Sequence, residues 1–291
     1  MKKIDAHFTF EKWDDNKLIV NKTFAEYFQA AELTTFDALM NYSKTEVAKN
    51  LLQERVTSRF CLQDNAGNKK SFFIKRHSPS PLKEYIKPLF RFRLPILGAK
   101  TEWDALLRFH AEGIPTMMPV LFGQSKRYSL LVTEALEDCL KLSDWMNNSL
   151  SDRSQNCSPQ TEQLIKQTAT IARTMHQAGM HHQDFYLGHL LMKQEPQPQE
   201  AQPQKTAQST LPDIHVIDLG RACYRPRLAT RWIVKDLAQL DYSASQFTKE
   251  ERILFMESYL NRPLNSRDNA LIHRIQRKSA AIARHSKKNR L

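Results

Sequence analysis

The chain has 291 residues, of which 41% are hydrophobic and 25% charged; this supports a sizeable core and excludes disorder, collagen-like repeats and a disulfide mini-protein. Lys and Arg number 43 against 31 Asp and Glu, a formal net charge of +12 that points to an anionic partner or substrate. With only 7 glycines, a phosphate-binding loop built on several of them is not expected.

Cys61, Cys139, Cys157 and Cys223 stand in no CxxC or CxxH spacing, so neither a zinc knuckle nor a redox pair is indicated. Free thiols in a chain of this size suit a reducing compartment. The N-terminus MKKIDAHFTFEKWDDN has no apolar h-region, and no apolar run approaches the ~20 residues of a membrane helix. A cytosolic protein that still touches a membrane surface is expected.

The first half reads partly as strands. Phe60, Leu62 and Ser71 to Lys75 flank the hairpin turn signal Asp64 to Asn68. Glu102 to Glu112 reads as a helix with Thr101 as N-cap and Gly113 as its stop. Val120 to Phe122 and Tyr128 to Thr133 read as two more strands. From Thr161 to Ala178, Leu164, Thr168, Ile171, Ala172 and Met175 share one helical face, and Gly179 ends the run. Leu190 to Met192 and Ile214 to Ile217 are short apolar strands, and helical patterns resume at Trp232. The segment 194–211 holds nine Gln or Pro in eighteen residues, so it reads as a disordered insertion between those two strands. The expected class is α+β: a small strand-rich N-lobe over residues 1–134, a larger helical C-lobe over 135–291, and an active site in the cleft between.

Four residues occur in a telling order: Lys75 at the end of FFIK, Glu102 in the following helix, Asp184 in HHQDFYLGHLLM after His182, and Asp218 in HVIDLG. This resembles the order of a protein-kinase-like fold, in which the lysine holds ATP phosphates and the glutamate orients it. The first aspartate meets the attacking hydroxyl, and the second offers hard oxygens to Mg²⁺. Taken singly, each has a blander reading: a solvated lysine, a first-turn helix acid, surface imidazoles at His181 and His182, a turn at Asp218 to Gly220. The weight lies in the conjunction.

Three departures from protein kinases narrow the substrate. Gln53 to Arg59 reads as the loop before the second strand and has no glycine, so phosphate cover there falls to backbone amides, helped by Thr57 and Ser58. His189 stands where a protein kinase has an Mg²⁺-binding Asn, so it either ligates a softer ion such as Mn²⁺ or hydrogen-bonds instead. Thirteen residues separate Asp218 from Trp232, too few for a regulated peptide-docking segment. In their place RACYRPRLATR brings Arg221, Arg225, Arg227 and Arg231, suited to an acceptor with carboxylates or phosphates or else simply solvated. From Lys75 to Lys100, seven Lys or Arg stand against one Glu, interleaved with Tyr85, Phe90 and Phe92. Such a stretch suits an anionic lipid surface, and the C-terminal run from Asn269, with seven Lys or Arg and no acid, adds to it. No nucleic-acid-binding module is recognisable, so no nucleic-acid partner is expected.

HHQDFYLGHLL, VIDLGRA, LPILGAKTEWDALLRFHAEGIPTMMPV and WIVKDLAQLDYSA together resemble the lipopolysaccharide core heptose kinase family, relatives of the Kdo kinases. The resemblance runs from about Phe73 to Arg262 and includes the histidine at 189. It implies ATP-dependent phosphorylation of a sugar hydroxyl on heptose I of the lipid A–core oligosaccharide, at the cytosolic face of the inner membrane. It further implies that Lys75, Glu102, Asp184, His189 and Asp218 match the family's nucleotide, metal and catalytic positions. Asp236, in KDLAQL, resembles the helix aspartate that braces the catalytic loop of kinase-like folds. The alternatives are a Kdo or other carbohydrate kinase, and a nucleotide-binding pseudokinase scaffold in envelope biogenesis.

Overall fold

The computed structural model describes residues 8–52, 55–79, 98–149, 158–194 and 213–289. Of the Gln/Pro-rich segment only Gln194 falls within them. Most of the basic-aromatic stretch, residues 80–97, also lies outside the described residues. The chain divides into two compact units: 1–111, 116–136 and 218–221 form one, and 112–115, 137–217 and 222–291 the other.

The first unit is built on a seven-stranded antiparallel sheet: β1 (Phe10–Trp13), β2 (Leu18–Asn21), β3 (Glu46–Leu52), β4 (Arg55–Gln63), β5 (Lys69–His77), β6 (Pro119–Ser125) and β7 (Tyr128–Glu134). Their order across the sheet is β1-β2-β6-β7-β5-β4-β3. The β4–β5 hairpin closes where the turn signal predicts. The Asp64 carboxylate accepts the backbone N–H groups of Ala66 and Asn68, which shapes the turn from within.

Strand alternation sorts the side chains. Phe60, Leu62, Phe72 and Ile74 face a core shared with α1 (Ala25–Ala30) and α2 (Phe36–Asn41), where Phe72 touches Phe24, Tyr27, Phe28 and Phe60. The other face carries Lys75 and is covered by α3 (Lys100–Ala111), whose Trp103 stacks on Phe122. Two expectations shift here. Lys75 does not end its strand, which runs on to His77. Thr101 does not cap α3; the Trp103 N–H donates back to the Ala99 carbonyl, because the Ser129 hydroxyl accepts the Ala99 N–H and fixes the helix start two residues earlier.

The second unit is mainly helical: α4 (Leu142–Ser149), α5 (Pro159–Gln177), α6 (Thr230–Ser243), α7 (Lys249–Leu260) and α8 (Asn269–Asn289). Ser158 caps α5 by accepting the Thr161 N–H, and the predicted stripe Leu164, Thr168, Ile171, Ala172 and Met175 is buried. Between helices run β8 (Cys139–Lys141), β9 (Met180–His181), β10 (Leu190–Lys193), β11 (Ile214–Val216) and β12 (Cys223–Tyr224). Strand β10 pairs antiparallel with β11 and β8, and β12 with β9. These short ladders hold the segment 182–189 between two fixed strands.

Candidate active site

In the strand-rich unit, three predicted residues converge. The Lys75 ammonium donates to Glu102 Oε1 at 2.5 Å and lies 3.7 Å from Asp218 Oδ1. Strand β5 aims Lys75 at the α3 face, and Glu102 sits on the first turn of α3, which covers that face. Glu102 is 1% exposed, and a carboxylate removed from water needs compensating charge. Lys75 supplies it on one oxygen. Arg55, which no motif singled out, supplies it on the other, with Nη2 3.5 Å from Oε2.

Asp218 takes a positive φ of 59°, a region that Asp tolerates better than most side chains. Gly220 has a steric reason. A Cβ there would lie 2.8 Å from Arg55 Nη2 and 3.4 Å from Glu102 Oε2, so the glycine leaves room for the Arg55–Glu102 contact. Arg221 closes the same 3-10 turn (Leu219–Arg221) and is exposed.

Thr57 stands opposite Lys75 in the β4–β5 register and shares its face. Ser58 does not. It pairs with Ile74 on the opposite, core-facing side and is 1% exposed, so the structure separates it from the lysine. The stretch read as a loop is in fact strand from Arg55 onward, and period-2 alternation makes neighbours point to opposite faces.

In the helical unit, the segment around Asp184 is pinned through its backbone. Asp236 accepts the His182 N–H at 2.7 Å and the Gln183 N–H at 2.9 Å. The Asp184 N–H donates to His182 Nδ1, the Phe185 N–H to Gln239 Oε1, and the Leu187 N–H to Ser243 Oγ. Asp236, Gln239 and Ser243 lie at i, i+3 and i+7 on α6, hence on one helix face. Gln239 and Ser243 escaped the motif reading. Their signal was polar residues at the helical spacing of a core face.

Histidines complete the frame. His182 is fully buried, not a surface imidazole, and so is His181. His182 Nε2 donates to the Ile217 carbonyl at 2.9 Å, which fixes the tautomer that lets Nδ1 accept from Asp184. Burial pushes the His182 ring below its ordinary pKa, against the opposing pull of Asp236 and the Ile217 carbonyl. Burial pushes Asp236 up, but the His176 ring and the His182 N–H more than offset it, and its carboxyl stands below the usual range. His176 Nε2 faces Asp236 at 3.4 Å, and its Nδ1 faces the Tyr259 hydroxyl at 2.9 Å.

His189 Nδ1 donates to the Asp184 carbonyl at 2.7 Å. A carbonyl only accepts, so the proton sits on Nδ1 and the Nε2 lone pair is the ring's donor atom toward any ion. Arg225 is held by its N–H to the Gly179 carbonyl, with its guanidinium over the Trp232 ring.

Among the described residues no group of three or more His, Cys, Asp or Glu side chains is arranged to hold a metal ion. A hard divalent cation in a phosphate site is commonly held by one or two carboxylates, with water and substrate phosphate filling the other positions. The Asp218 carboxylate, 45% exposed, offers the hard oxygen such an ion prefers.

A strand lysine paired to a helix glutamate, an aspartate of a D-x-G turn beside that lysine, and a pinned H-x-D loop define a phosphotransferase of the protein-kinase-like α+β class. The profile of the Lipopolysaccharide kinase (Kdo/WaaP) family matches residues 43–259, and the chain belongs to that family. It is 37% identical over 224 residues to the lipopolysaccharide core heptose(I) kinase WaaP of Escherichia coli, covering 73% of this chain and 77% of that protein. It is 31% identical over 227 residues to WaaP of Pseudomonas aeruginosa, covering 73% and 79%. A solved structure of WaaP in complex with acyl carrier protein superposes with a TM-score of 0.68 at 27% identity, covering 91% of this chain and 98% of that one. The protein is accordingly a kinase that uses ATP and phosphorylates a sugar hydroxyl.

Proposed function

We propose that the protein transfers the γ-phosphoryl group of ATP to a hydroxyl of heptose I in the lipopolysaccharide inner core. The relatives named above are heptose(I) kinases. The observation that carries the reading is the Lys75–Glu102 pair with Asp218 alongside, a charge arrangement suited to a triphosphate. Lys75 binds the nucleotide phosphates, Glu102 and Arg55 aim it, and Thr57 lies on the same face. Asp184 accepts the proton of the acceptor hydroxyl or orients it. In the strand-rich unit Asp218 would hold a divalent ion, Mg²⁺ or Mn²⁺, that would neutralise phosphate charge, and in the helical unit His189 Nε2 is the nitrogen suited to such an ion. Arg221 and Arg225 meet the anionic acceptor. Asp236 and His182 position Asp184.

We place the protein at the cytosolic face of the inner membrane, on an anionic lipid surface. Among the described residues no helix is long and apolar enough to cross a membrane. Helix α8 supports surface attachment. Ile275 and Ser279 are buried, whereas Arg274, Arg277, Lys278, Arg284, Lys287 and Lys288 are exposed on the opposite side. An acyl carrier protein is a second partner. The solved relative was captured with one, and the helical unit holds an apolar cavity of about 320 Å³ lined by Leu142, Trp145, Leu164, Leu237, Phe255 and Met256.

The test is in vitro phosphorylation of rough lipopolysaccharide lacking core phosphate, with mapping of the labelled sugar. Phosphate on heptose I is expected, and Asp184→Asn should lower transfer by about 10³-fold or more while the protein stays folded. Undiminished transfer by that variant removes Asp184 from the mechanism. Label on Kdo instead assigns the activity to a Kdo kinase.

A further inference from the structure

Around Trp232, at the start of α6, three cationic side chains gather. The Arg225 guanidinium lies 5.3 Å from the indole centroid, that of Arg231 5.0 Å, and the Lys235 ammonium 5.9 Å. Among the described residues, Arg225 and Arg231 form no ion pair, and Arg225 Nε is buried with no hydrogen-bond partner. On the same indole the His181 ring is stacked at 4.5 Å, wholly buried, with neither ring nitrogen hydrogen-bonded.

Each of these choices is unfavourable by itself. A cation over an aromatic ring gains about 0.5–2 kcal/mol, but like charges crowded on one ring repel. Helix α6 has Ala229 at its N-cap and so no side-chain cap, carries no acid in its first turn, and places Arg231 where the helix dipole disfavours a cation. A buried guanidinium nitrogen and a buried imidazole both lack partners that such groups normally have. Asp236, the acid whose charge reaches His181, is already engaged by the His182 and Gln183 N–H groups and faces His176. Lys235 also reaches the Gln183 side chain at 3.4 Å.

The scaffold beneath is fixed. Cys223–Tyr224 pair with Met180–His181, and the Arg225 N–H donates to the Gly179 carbonyl at 2.8 Å. Gly179 has a φ of 76°, and a Cβ there would lie 2.3 Å from the Arg225 carbonyl oxygen, so the close approach requires glycine. One oxyanion would resolve the charge crowding and the uncapped helix start together.

We propose that Arg225, Arg231 and Lys235, gathered around Trp232, form a subsite for an oxyanion carried by the sugar acceptor, a phosphate or a carboxylate substituent away from the hydroxyl that reacts. The assignment of that anion to the acceptor rests on the kinase reading above. The subsite ties acceptor affinity to charge the substrate already bears.

The test uses the full chain and core oligosaccharide released from rough lipopolysaccharide. Binding without ATP is followed by tryptophan fluorescence, with Trp232→Phe assigning the signal. Arg225→Gln, and Arg231→Gln at an exposed position that tolerates change, should each weaken binding about tenfold. Oligosaccharide stripped of phosphate and oligosaccharide with reduced carboxyl groups identify the anion: one of them should bind wild type as weakly as the variants bind the native sugar. In steady-state assays the acceptor KM should rise about tenfold in both variants, with the ATP KM within twofold of wild type. Unchanged oligosaccharide affinity in both variants overturns the proposal. Tight binding of both neutralised sugars does too, as does an equal rise in the ATP KM. Oligosaccharide binding that depends on the arginines in a protein that transfers no phosphate keeps the subsite and refutes the kinase reading. Transfer with an unmoved acceptor KM does the reverse.

Discussion

The two units hold their functional residues by different means. Around Lys75 the contacts run between charged side chains: Lys75 and Arg55 on the two oxygens of Glu102, and Lys75 beside Asp218. Around Asp184 they run from backbone N–H groups to polar side chains of one helix, above all to the fully buried Asp236. The first arrangement leaves Asp218 half-exposed. The second has little spare capacity, because its acceptors are already committed to backbone N–H groups. A phosphate site must meet a ligand whose charge exceeds any single side chain's. A loop that presents one carboxylate must instead be rigid.

That contrast predicts where damage is felt. Asp236→Asn puts an amide NH₂ against one of two backbone donors. It should lower stability by about 3–5 kcal/mol, read as a fall in the denaturation midpoint, since breaking a buried charged contact leaves the remainder unpaired. A midpoint within experimental error of wild type would show that the loop does not depend on the carboxylate. Lys75→Met should do the opposite. Its effect on the midpoint should be small, because Arg55 still faces Glu102, while phosphate transfer falls by roughly 10²–10³-fold, as when an electrostatic donor is lost from a transition state. Loss of fold in that variant would mean that Glu102 cannot be held by Arg55 alone.

Protonation gives a smaller effect that reports on both units. His77, near Arg55 and Lys75, and His181, beneath Trp232, are both pushed down to about 4, chiefly by burial. The unfolded chain binds protons at these rings below about pH 6.5, and the native state does not until about pH 4. Stability should therefore fall as pH drops through that window and level off below it, by roughly 1–2 kcal/mol per ring between pH 7 and pH 5. Urea unfolding of His77→Gln and His181→Gln at the two pH values assigns the share of each unit. A slope unchanged in both variants would place the acid sensitivity elsewhere.

Much of this was legible in the chain. The β4–β5 hairpin, the α5 stripe and the β10–β11 pair followed from alternation, helical spacing and turn residues, which are local properties. Lys75, Glu102 and Asp218 were found by their order and context, and they meet. Ser58 was misplaced because Gln53 to Arg59 was read as a loop, and in a loop adjacent hydroxyls are equivalent. Once the segment is a strand, alternation sends Thr57 to the lysine's face and Ser58 to the core. The complete burial of His181 and His182 could not be read locally, because nothing along the chain distinguishes a buried imidazole from an exposed one.

Local sequence sets the elements, the charge balance and the groups proposed to touch phosphate and hydroxyl, because short-range periodicity and side-chain chemistry suffice for these. Which polar residues support them depends on how the chain packs. Arg55 reaches Glu102 from 47 positions away, and Gln239 reaches Phe185 across 54. Such partners are selected by which faces pack together, and a spacing along the chain carries no record of that.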